Sequence, residues 1–329
     1  MPDPAHSHLP ADSLPPLDFR WLTAADAGAV DPARTLARIT FGGTSNRTVE
    51  PGEVRVPLVP VGPAPVEAWL VTGPVSRGVD GSIRWTGDRD YLHFAIELEE
   101  GRWGGLAATA EAAYRGLLDF LDGHQTPHLL RIWNHVDSIN EGDGDAERYR
   151  QFCVGRQRGI AGRLRGFPAA TAIGCRNGRR VLQVYGLAAR LPGRGIENPR
   201  QVSAWNYPRR YGPSPPAFAR ALATPAGTLL LSGTAAVVGH ASRSDGDLEG
   251  QMRELLANID GVATASGLVP RALRWMLKAY VRERGWADRV TTAARSHFGG
   301  SGDLLVLEGD VCRRELLVEI DGHACVTDP

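Results

Sequence analysis

Residues 91–98 (YLHFAIEL) alternate cleanly and fix the first element of the fold. Side chains at alternate positions of a strand point to the same face of its sheet. One face of this segment would carry Leu92, Phe94, Ile96 and Leu98. The pattern therefore predicts a half-buried strand, and the neighbouring segments are interpreted outward from it.

The segments after this strand complete a first half. Apolar residues recur at helical spacing from residue 107, and Gly123 can end that helix. Asp145 can cap a second helix, and Asn177-Gly178 can form a tight turn between two strands. For the first half these patterns predict strand 91–98, helix 107–123, strand 128–136, a helix after Asp145, and strands 169–175 and 181–189.

The same order of elements returns after a proline- and glycine-rich stretch, residues 191–216. The second half predicts strand 228–238, helix 247–265, strand 274–282, helix 286–298, and strands 303–308 and 315–321. This order predicts an α+β fold with two halves, each a sheet covered by helices on one face. The predicted divisions are an N-terminal extension over residues 1–50, partly flexible, a first domain over 51–190 and a second over 191–329.

Charge and composition exclude several classes of partner. The chain has 37 basic and 37 acidic residues, so its formal net charge of zero removes the electrostatic case for nucleic acid or an anionic membrane. No apolar run is long enough to span a bilayer. Residues 1–16 predict a proline-rich, frayed tail rather than a signal peptide. We therefore expect a cytoplasmic protein.

The cysteine and histidine positions give no metal pattern. The four cysteines show neither CxxC nor Cys/His ligand spacing, and His135, His240 and His323 are dispersed. No P-loop, GxGxxG or GxSxG motif is present. The sequence therefore predicts no metal and no organic cofactor.

The stretch 197–220 interleaves arginines and tyrosines in a proline-stiffened loop. Arginine binds a carboxylate through two parallel hydrogen bonds, and tyrosine adds a hydroxyl donor. Proline lowers the entropy that is lost when such a loop is ordered. The loop can therefore hold planar anions; the alternative is a surface loop with solvated arginines.

Glu319 lies within an apolar strand segment, LLVEI, over residues 316–320. It shares a face with Leu317 and Asp321. A carboxyl on a buried face has a raised pKa, which suits a general acid. If that face is open to solvent instead, Glu319 is merely an exposed charge.

Cys312 lies seven residues before Glu319, and we expect it at or just before a tight turn between the last strands. A free cysteine usually serves as a small buried apolar residue. Spacing alone leaves both a packing role and a role in the site open for this thiol.

Five motifs together resemble the chorismatases, the family that converts chorismate to pyruvate plus a dihydroxycyclohexadiene carboxylate or a hydroxybenzoate. The likeness extends to bacterial members that supply 3-hydroxybenzoate for pigments. His135 and Trp205 depart from the tyrosine expected at these positions in many members. The motifs are RIWN at 131–134, ERYRQF at 147–152, NPRQVSA at 198–204, YPRRYGP at 207–213 and SGTAAVVGH at 232–240.

The resemblance implies a fold and a set of roles. Each half would adopt the fold of the small Rid-type imine deaminases, as monomer or trimer, with the catalytic site in the second half. Glu319 would protonate the enolpyruvyl methylene of chorismate, and Cys312 would assist formation of an aromatic product, 3-hydroxybenzoate. The implied substrate-binding residues are Arg200, Tyr207, Arg209, Arg210, Tyr211, Arg220, Gly233 and Thr234.

Three alternatives stay open at this stage. Water could attack in place of the substrate's own hydroxyl, which makes the protein a hydrolase that forms trans-3,4-dihydroxycyclohexa-1,5-diene carboxylate. A lyase could form 4-hydroxybenzoate, also as a side product. A Rid-like module could bind a metabolite without catalysis. The arginine that Rid deaminases carry on the penultimate strand is missing from residues 303–311 here, which argues against a simple deaminase.

Overall fold

The computed structural model describes residues 13–42, 49–268, 273–299 and 302–326. The elements that precede the first predicted strand are β1 (Asp18–Leu22), α1 (Ala24–Ala29), β2 (Thr35–Phe41), β3 (Glu53–Val56), β4 (Val59–Pro60), β5 (Val66–Leu70), β6 (Ser76–Asp80) and β7 (Ile83–Gly87). The first half then consists of β8 (Tyr91–Glu99), α2 (Leu106–Asp122), β9 (His128–Asp137), α3 (Arg148–Ile160), β10 (Ala169–Cys175) and β11 (Val181–Ala189).

The second half repeats this order. Its elements are β12 (Arg194–Ile196), β13 (Ala221–Ala223), β14 (Leu229–Thr234), β15 (Val237–Val238), β16 (Ala241–Ser242), α4 (Leu248–Ala265), β17 (Leu273–Val281), α5 (Ala287–Phe298), β18 (Gly302–Glu308) and β19 (Val318–Val326). Single 3₁₀ turns lie at Pro32–Arg34, Glu100–Arg102, Gly144–Ala146, Ala204–Asn206, Arg209–Tyr211 and Arg284–Trp286.

Two large sheets share one internal topology. The six-stranded sheet has the order β10-β9-β11-β8-β7-β6, and the seven-stranded sheet has the order β12-β13-β14-β19-β17-β18-β4. In the first sheet β9 and β10 pair in parallel, and β11 pairs antiparallel with β8 and β9. In the second sheet β17 and β18 pair in parallel, and β19 pairs antiparallel with β14 and β17. The two halves are therefore related element by element, and the predicted α+β class is confirmed.

The apolar core explains why the halves stack. Helices α2 and α3 pack on one face of the first sheet, and α4 and α5 pack on one face of the second. A third core lies between the sheets and includes Tyr91, Trp133, Tyr185 and Tyr280. The helices cover the outer faces, so the inner faces of both sheets are buried against each other.

This stacking corrects one prediction. Strand β8 is buried on both faces, because Leu92, Phe94 and Ile96 contact the helices while Tyr91 and Ala95 join the core between the sheets. Alternation identified the strand and its helix-facing side. It could not show that the other face, with His93 at 0% exposure, lies under a second sheet.

Three predicted boundaries also change. Helix α3 begins at Arg148 with Glu147 as its N-cap, and Asp145 lies in the preceding 3₁₀ turn. The strand predicted over 228–238 ends at Thr234, after a register shift between Leu231 and Thr234 in its pairing with β19. The last strand begins at Val318 rather than 315, because residues 313–316 form a turn closed by the Leu316 N–H and the Arg313 carbonyl.

A smaller sheet of order β1-β5-β2-β3 joins residues on both sides of the predicted boundary at residue 50. Its Leu36, Ile39 and Trp69 extend the core between the large sheets. The domain limits therefore stay a prediction, and residues 1–12 of the predicted tail lie outside the described residues. Among the described helices, none is long and apolar enough to cross a membrane.

Candidate active site

A cavity of about 410 Å³ is lined by residues of both halves. Its walls come from residues 142–150 of the first half and from 201–220, 233–237 and 312–319 of the second. A volume of this size suits a small organic ligand. The proline-rich loop and the turn before β19, which are far apart in sequence, thus meet at one site.

Glu319 lies at this cavity and is 4% exposed. It stands opposite Tyr280 in the β17–β19 pairing, on the strand face that points away from α4 and α5. Burial is the main cause that raises the pKa of Glu319 to about 8, and the charge of Asp321 adds to it. The carboxyl is therefore protonated at neutral pH and can donate a proton into the cavity.

Cys312 lies at the cavity in the turn region before β19 and is a free thiol. The protein packed around it raises the pKa of this thiol to about 12, and the neighbouring Glu319 contributes in the same direction. Cys312 is therefore a neutral thiol near pH 7, with no thiolate available as base or nucleophile. Its chemistry is limited to a weak S–H donor and to the shape of the cavity.

Arg220 is 6% exposed and faces the same cavity. One terminal nitrogen donates to the Tyr207 hydroxyl and to the Val202 carbonyl, each at 2.8 Å. Its Nε has no hydrogen-bond partner among the described residues. A buried guanidinium with donor capacity to spare is suited to an anionic ligand.

Two further arginines stand beside Arg220. The Arg313 guanidinium lies 4.1 Å from the centre of the Tyr211 ring and 5.1 Å from that of Tyr207. Arg210 contacts His240 Nδ1 at 2.7 Å and the Tyr211 hydroxyl at 3.2 Å. Within the described part of the chain, no carboxylate lies within 4.0 Å of any of the three guanidinium groups. These three guanidinium groups of the cavity wall are therefore free of direct ion pairs within the described residues, although Glu147 and Glu315 line the same cavity.

Curated relatives match most of the chain. A chorismatase of Streptomyces rapamycinicus is 37% identical over 274 residues, covering 78% of this chain and 81% of that protein. A 3-hydroxybenzoate synthase of Streptomyces hygroscopicus is 36% identical over 279 residues, covering 78% and 80%. The family model described as "Chorismatase FkbO/Hyg5-like, N-terminal" matches residues 67–188. The chain belongs to the chorismatase family.

The fold agrees with this assignment. A crystal structure of a chorismatase matches 96% of this chain and 99% of its own, with a TM-score of 0.84 and 30% sequence identity. The family resemblance carried by the five motifs is therefore confirmed. The roles of individual residues in this chorismatase-family chain stay predictions.

Three of the predicted binding residues do not line the cavity. Arg200 pairs with Glu254 of α4 at 2.5 Å, and Arg209 pairs with Asp145 at 2.5 Å. The Thr234 hydroxyl donates to the Ser232 carbonyl at 2.9 Å. These contacts hold the loop and β14 in place, whereas Tyr207, Arg210, Tyr211, Arg220 and Gly233 do line the cavity.

Sequence reasoning missed several cavity residues of this chain. Arg313 directly follows Cys312, and that adjacency was the available signal for it. Tyr149 and Arg150 lie in the ERYRQF motif, which carried the resemblance but received no role. Glu315 accepts from Ser242 at 2.7 Å at the same cavity.

Gly233 leaves the space that the Glu319 carboxyl occupies. A Cβ at position 233 would overlap Glu319 Oε1 and approach Thr171 Oγ1 to 3.3 Å. The register shift between Leu231 and Thr234 brings the backbone this close, and Ser232 Oγ secures it by donating to the Ala219 carbonyl at 2.5 Å. Bulges of this kind occur next to active sites, where they redirect side chains.

We expect Gly233→Ala to fold and to lose activity by about 10²-fold in kcat, because a displacement near 1 Å in an active site can cost that much. The atom that must move is the far end of the flexible Glu319 side chain, so the melting temperature should change little. Gly285→Ala is the control, since a Cβ there meets no atom within 4 Å. A variant with wild-type kcat would contradict this account of Gly233.

Proposed function

We propose that the protein releases pyruvate from chorismate and forms 3-hydroxybenzoate, with Glu319 as the general acid. The observation that carries the proposal is a buried carboxyl, with its pKa raised to about 8, in a cavity that holds three arginines without carboxylate partners. Chorismate bears two carboxylates and an acid-labile enolpyruvyl ether, so it matches both features. The names of the relatives support this substrate and product.

The first step is proton transfer from Glu319 to the terminal methylene carbon of the enolpyruvyl group. The C=C bond is lost, a methyl group forms, and positive charge develops on the ether carbon as an oxocarbenium ion. Glu319 becomes a carboxylate at the same moment, and its negative charge stabilises the cation in a site that is largely shielded from water. The acid thus supplies both the proton and the counter-charge.

The second step decides the product. If the ring hydroxyl attacks the ether carbon, a cyclic ketal forms and the hydroxyl proton is released. The ring C–O bond of that hydroxyl then breaks as the adjacent ring carbon loses its proton to the Glu319 carboxylate. The resulting hemiketal divides into 3-hydroxybenzoate, whose phenol oxygen takes up the released proton, and pyruvate, without net consumption of water. If water attacks, one water is consumed and the dihydrodiol results. Cys312 fills part of the cavity beside Glu319 as a neutral thiol, and this supports exclusion of the competing water.

The arginines hold the two carboxylates of the substrate in this proposal. Arg220 is the most buried of the three, and its free Nε can add to the hydrogen bonds of its terminal nitrogens. Arg313 and Arg210 are kept in place by Tyr211 and His240. Two anionic groups fixed at separate points orient the enolpyruvyl methylene toward Glu319.

We expect Cys312→Ala to consume chorismate while shifting the product toward the dihydrodiol. Two oxygens compete for one cation, and a change of about 1.4 kcal/mol in the difference between their barriers alters the ratio tenfold. Chromatography of the products measures the ratio, and Cys175→Ala, a buried cysteine away from the cavity, is the control. An unaltered ratio in a folded Cys312→Ala protein would remove the role of this thiol in product choice.

We expect kcat/KM to fall above pH about 8, by up to tenfold per pH unit, because the pKa of Glu319 is raised to about 8 and only its protonated form donates. The Glu319 carboxyl is protonated at pH values well below 8, and it loses its proton as the pH rises through about 8. Direct quantitation of pyruvate after quenching avoids a pH-dependent coupling enzyme. A rate that stays constant to pH 10 would contradict Glu319 as the acid.

Incubation with chorismate followed by chromatography tests the proposed function as a whole. 3-Hydroxybenzoate plus an equimolar amount of pyruvate supports it. The dihydrodiol as main product would make the protein a hydrolase, and 4-hydroxybenzoate would make it a different lyase. Saturable binding of chorismate without release of pyruvate would indicate a binding module.

A further inference from the structure

Four buried charged side chains form an alternating row between the sheets, beside the cavity. Lys278 Nζ lies 2.9 Å from Glu67 Oε2 and 4.0 Å from Asp321 Oδ1, and Arg131 lies 3.0 Å from Asp321 Oδ2. Each of the four side chains is at most 3% exposed. Burial of unpaired charge is costly, so a row of alternating sign is the arrangement that the interior tolerates.

Asp321 is the centre of this charge row. Its Oδ2 accepts from Trp133 Nε1 at 2.9 Å, Thr171 Oγ1 at 2.6 Å and the Tyr280 hydroxyl at 2.9 Å, in addition to Arg131. These donors come from β9, β10 and β17, and hydrogen bonds to the charged form of a carboxyl favour that form. Asp321 is 0% exposed, and its Oδ2 is surrounded by donors whereas its Oδ1 has no hydrogen-bond partner among the described residues.

The two cations of the charge row enclose one ring. The Arg131 guanidinium lies 4.1 Å from the centre of the Trp133 ring, and Lys278 Nζ lies 4.4 Å from it. Lys278 is the single lysine of a chain that otherwise uses arginine. The RIWN motif supplies Arg131 and Trp133, neither of which lines the cavity. The substrate therefore does not explain these residues, and their contacts lead to Asp321.

Asp321 and Glu319 are neighbours on one face of β19, since side chains two apart on a strand point the same way. We propose that Asp321, held by the donors of the charge row, is a positioning residue that places negative charge beside Glu319 and so keeps Glu319 in its acid form. This inference rests on the proposed function of Glu319. Two like charges in one buried site disfavour each other, so ionisation of Glu319 is opposed for as long as Asp321 is charged.

Other groups around the two carboxyls do not take over this role. Burial lowers the pKa of His135 to about 4 and raises the pKa values of Tyr149, Tyr185 and Tyr280 well above their ordinary value, so these groups are neutral where Glu319 titrates. Cys312 is neutral there as well. The charged groups that act on Glu319 are Asp321, which raises its pKa, and Arg131, Arg282 and Arg220, which lower it.

The test is a pH titration of the Glu319 carboxyl by infrared spectroscopy, with Glu319→Gln subtracted as the reference spectrum. The midpoint in the otherwise wild-type protein should lie at about 8. In Asp321→Asn we expect the midpoint to fall by at least about one pH unit, because a like charge is removed and Arg131 is left unbalanced. The alkaline limb of kcat/KM should move to lower pH by the same amount.

A matched control separates charge from loss of stability. Asp137 is also 0% exposed, ends β9, and accepts from the backbone N–H groups of Asn177 and Gly178. Asp137→Asn should lower the melting temperature and leave the Glu319 midpoint at its wild-type value. An unchanged midpoint in folded Asp321→Asn, or an equal shift in both variants, would overturn the proposal.

A second variant tests the same proposal if Asp321→Asn does not fold. The double variant Arg131→Gln with Asp321→Asn removes both charges and leaves no buried ion unpaired. Asp321 acts on Glu319 more strongly than Arg131 does, so the midpoint of the double variant should fall by less than in the single variant. A midpoint at or above the wild-type value would refute the role of Asp321.

Failure of this inference and failure of the proposed function give different results. If Glu319→Gln keeps its activity, Glu319 is not the acid, whatever the midpoint of its titration. If Glu319→Gln is inactive and the titration midpoint of Glu319 is the same in Asp321→Asn as in the wild type, Glu319 is the acid but Asp321 has no positioning role.

Discussion

Glu319→Gln is expected to lower kcat for pyruvate release by about 10²–10⁴-fold, the usual range for loss of a general acid. Glutamine has the same shape and no acidic proton, so the C=C bond of the ether cannot be protonated from this position. The counter-charge that would stabilise the oxocarbenium ion is lost as well. Single-turnover measurement of pyruvate formation would isolate this step from product release.

Stability and a matched carboxyl test the specificity of that effect. A neutral amide carries no charge to desolvate, so at pH above about 8, where Glu319 ionises in the folded protein, the variant should melt no lower than the wild type. Glu315→Gln is the control, since Glu315 lines the same cavity and bonds to Ser242. It should keep activity within a few-fold, and equal losses in both variants would contradict the assignment of Glu319.

Arg220→Met is expected to lower kcat/KM by about 10²–10³-fold, the range for truncating one partner of a buried, hydrogen-bonded charge pair. The bound carboxylate persists from substrate to transition state, so most of the change should appear in KM. Methionine is unbranched and apolar, so it removes the guanidinium, which lies 5.2 Å from the centre of the Phe218 ring, without adding another charge. Steady-state kinetics with varied chorismate would measure both constants.

Arg209→Met is the matched variant, because Arg209 lies in the same loop and pairs with Asp145 away from the cavity. It should leave KM within a few-fold of wild type, as a surface ion pair contributes little. A similar rise of KM in both variants would show that the loop responds to any loss of arginine. In that case Arg220 would have no specific part in binding.

Local periodicity of apolar residues predicted most of the secondary structure. The predicted strands 169–175 and 181–189 coincide with β10 and β11, and helix 247–265 differs from α4 by one residue. The α+β class and the two halves followed from the order of these segments. The predictions failed where a distant segment decides the outcome, as at β8, whose second face is covered by the other half.

The candidate site, too, was predicted from the sequence only in part. Strand alternation placed Glu319 on one face with Leu317 and Asp321, and the family resemblance indicated roles for Cys312 and the arginine loop. The sequence could not rank the arginines, because a guanidinium is available to a ligand only if no carboxylate has paired with it. Arg200 forms an ion pair with Glu254 on α4, whereas Arg220 donates hydrogen bonds to the Tyr207 hydroxyl and the Val202 carbonyl.

The sequence by itself determined the elements, their order and the family, since each depends on residues close together along the chain. Only the tertiary structure decided the chemistry of Glu319. Its affinity for a proton depends on burial and on Asp321, whose carboxylate bonds to Trp133 across 188 positions of the chain. Buried charges interact through space over a few ångströms of low-dielectric interior. The distance between two charged groups in the fold cannot be read from their separation along the chain.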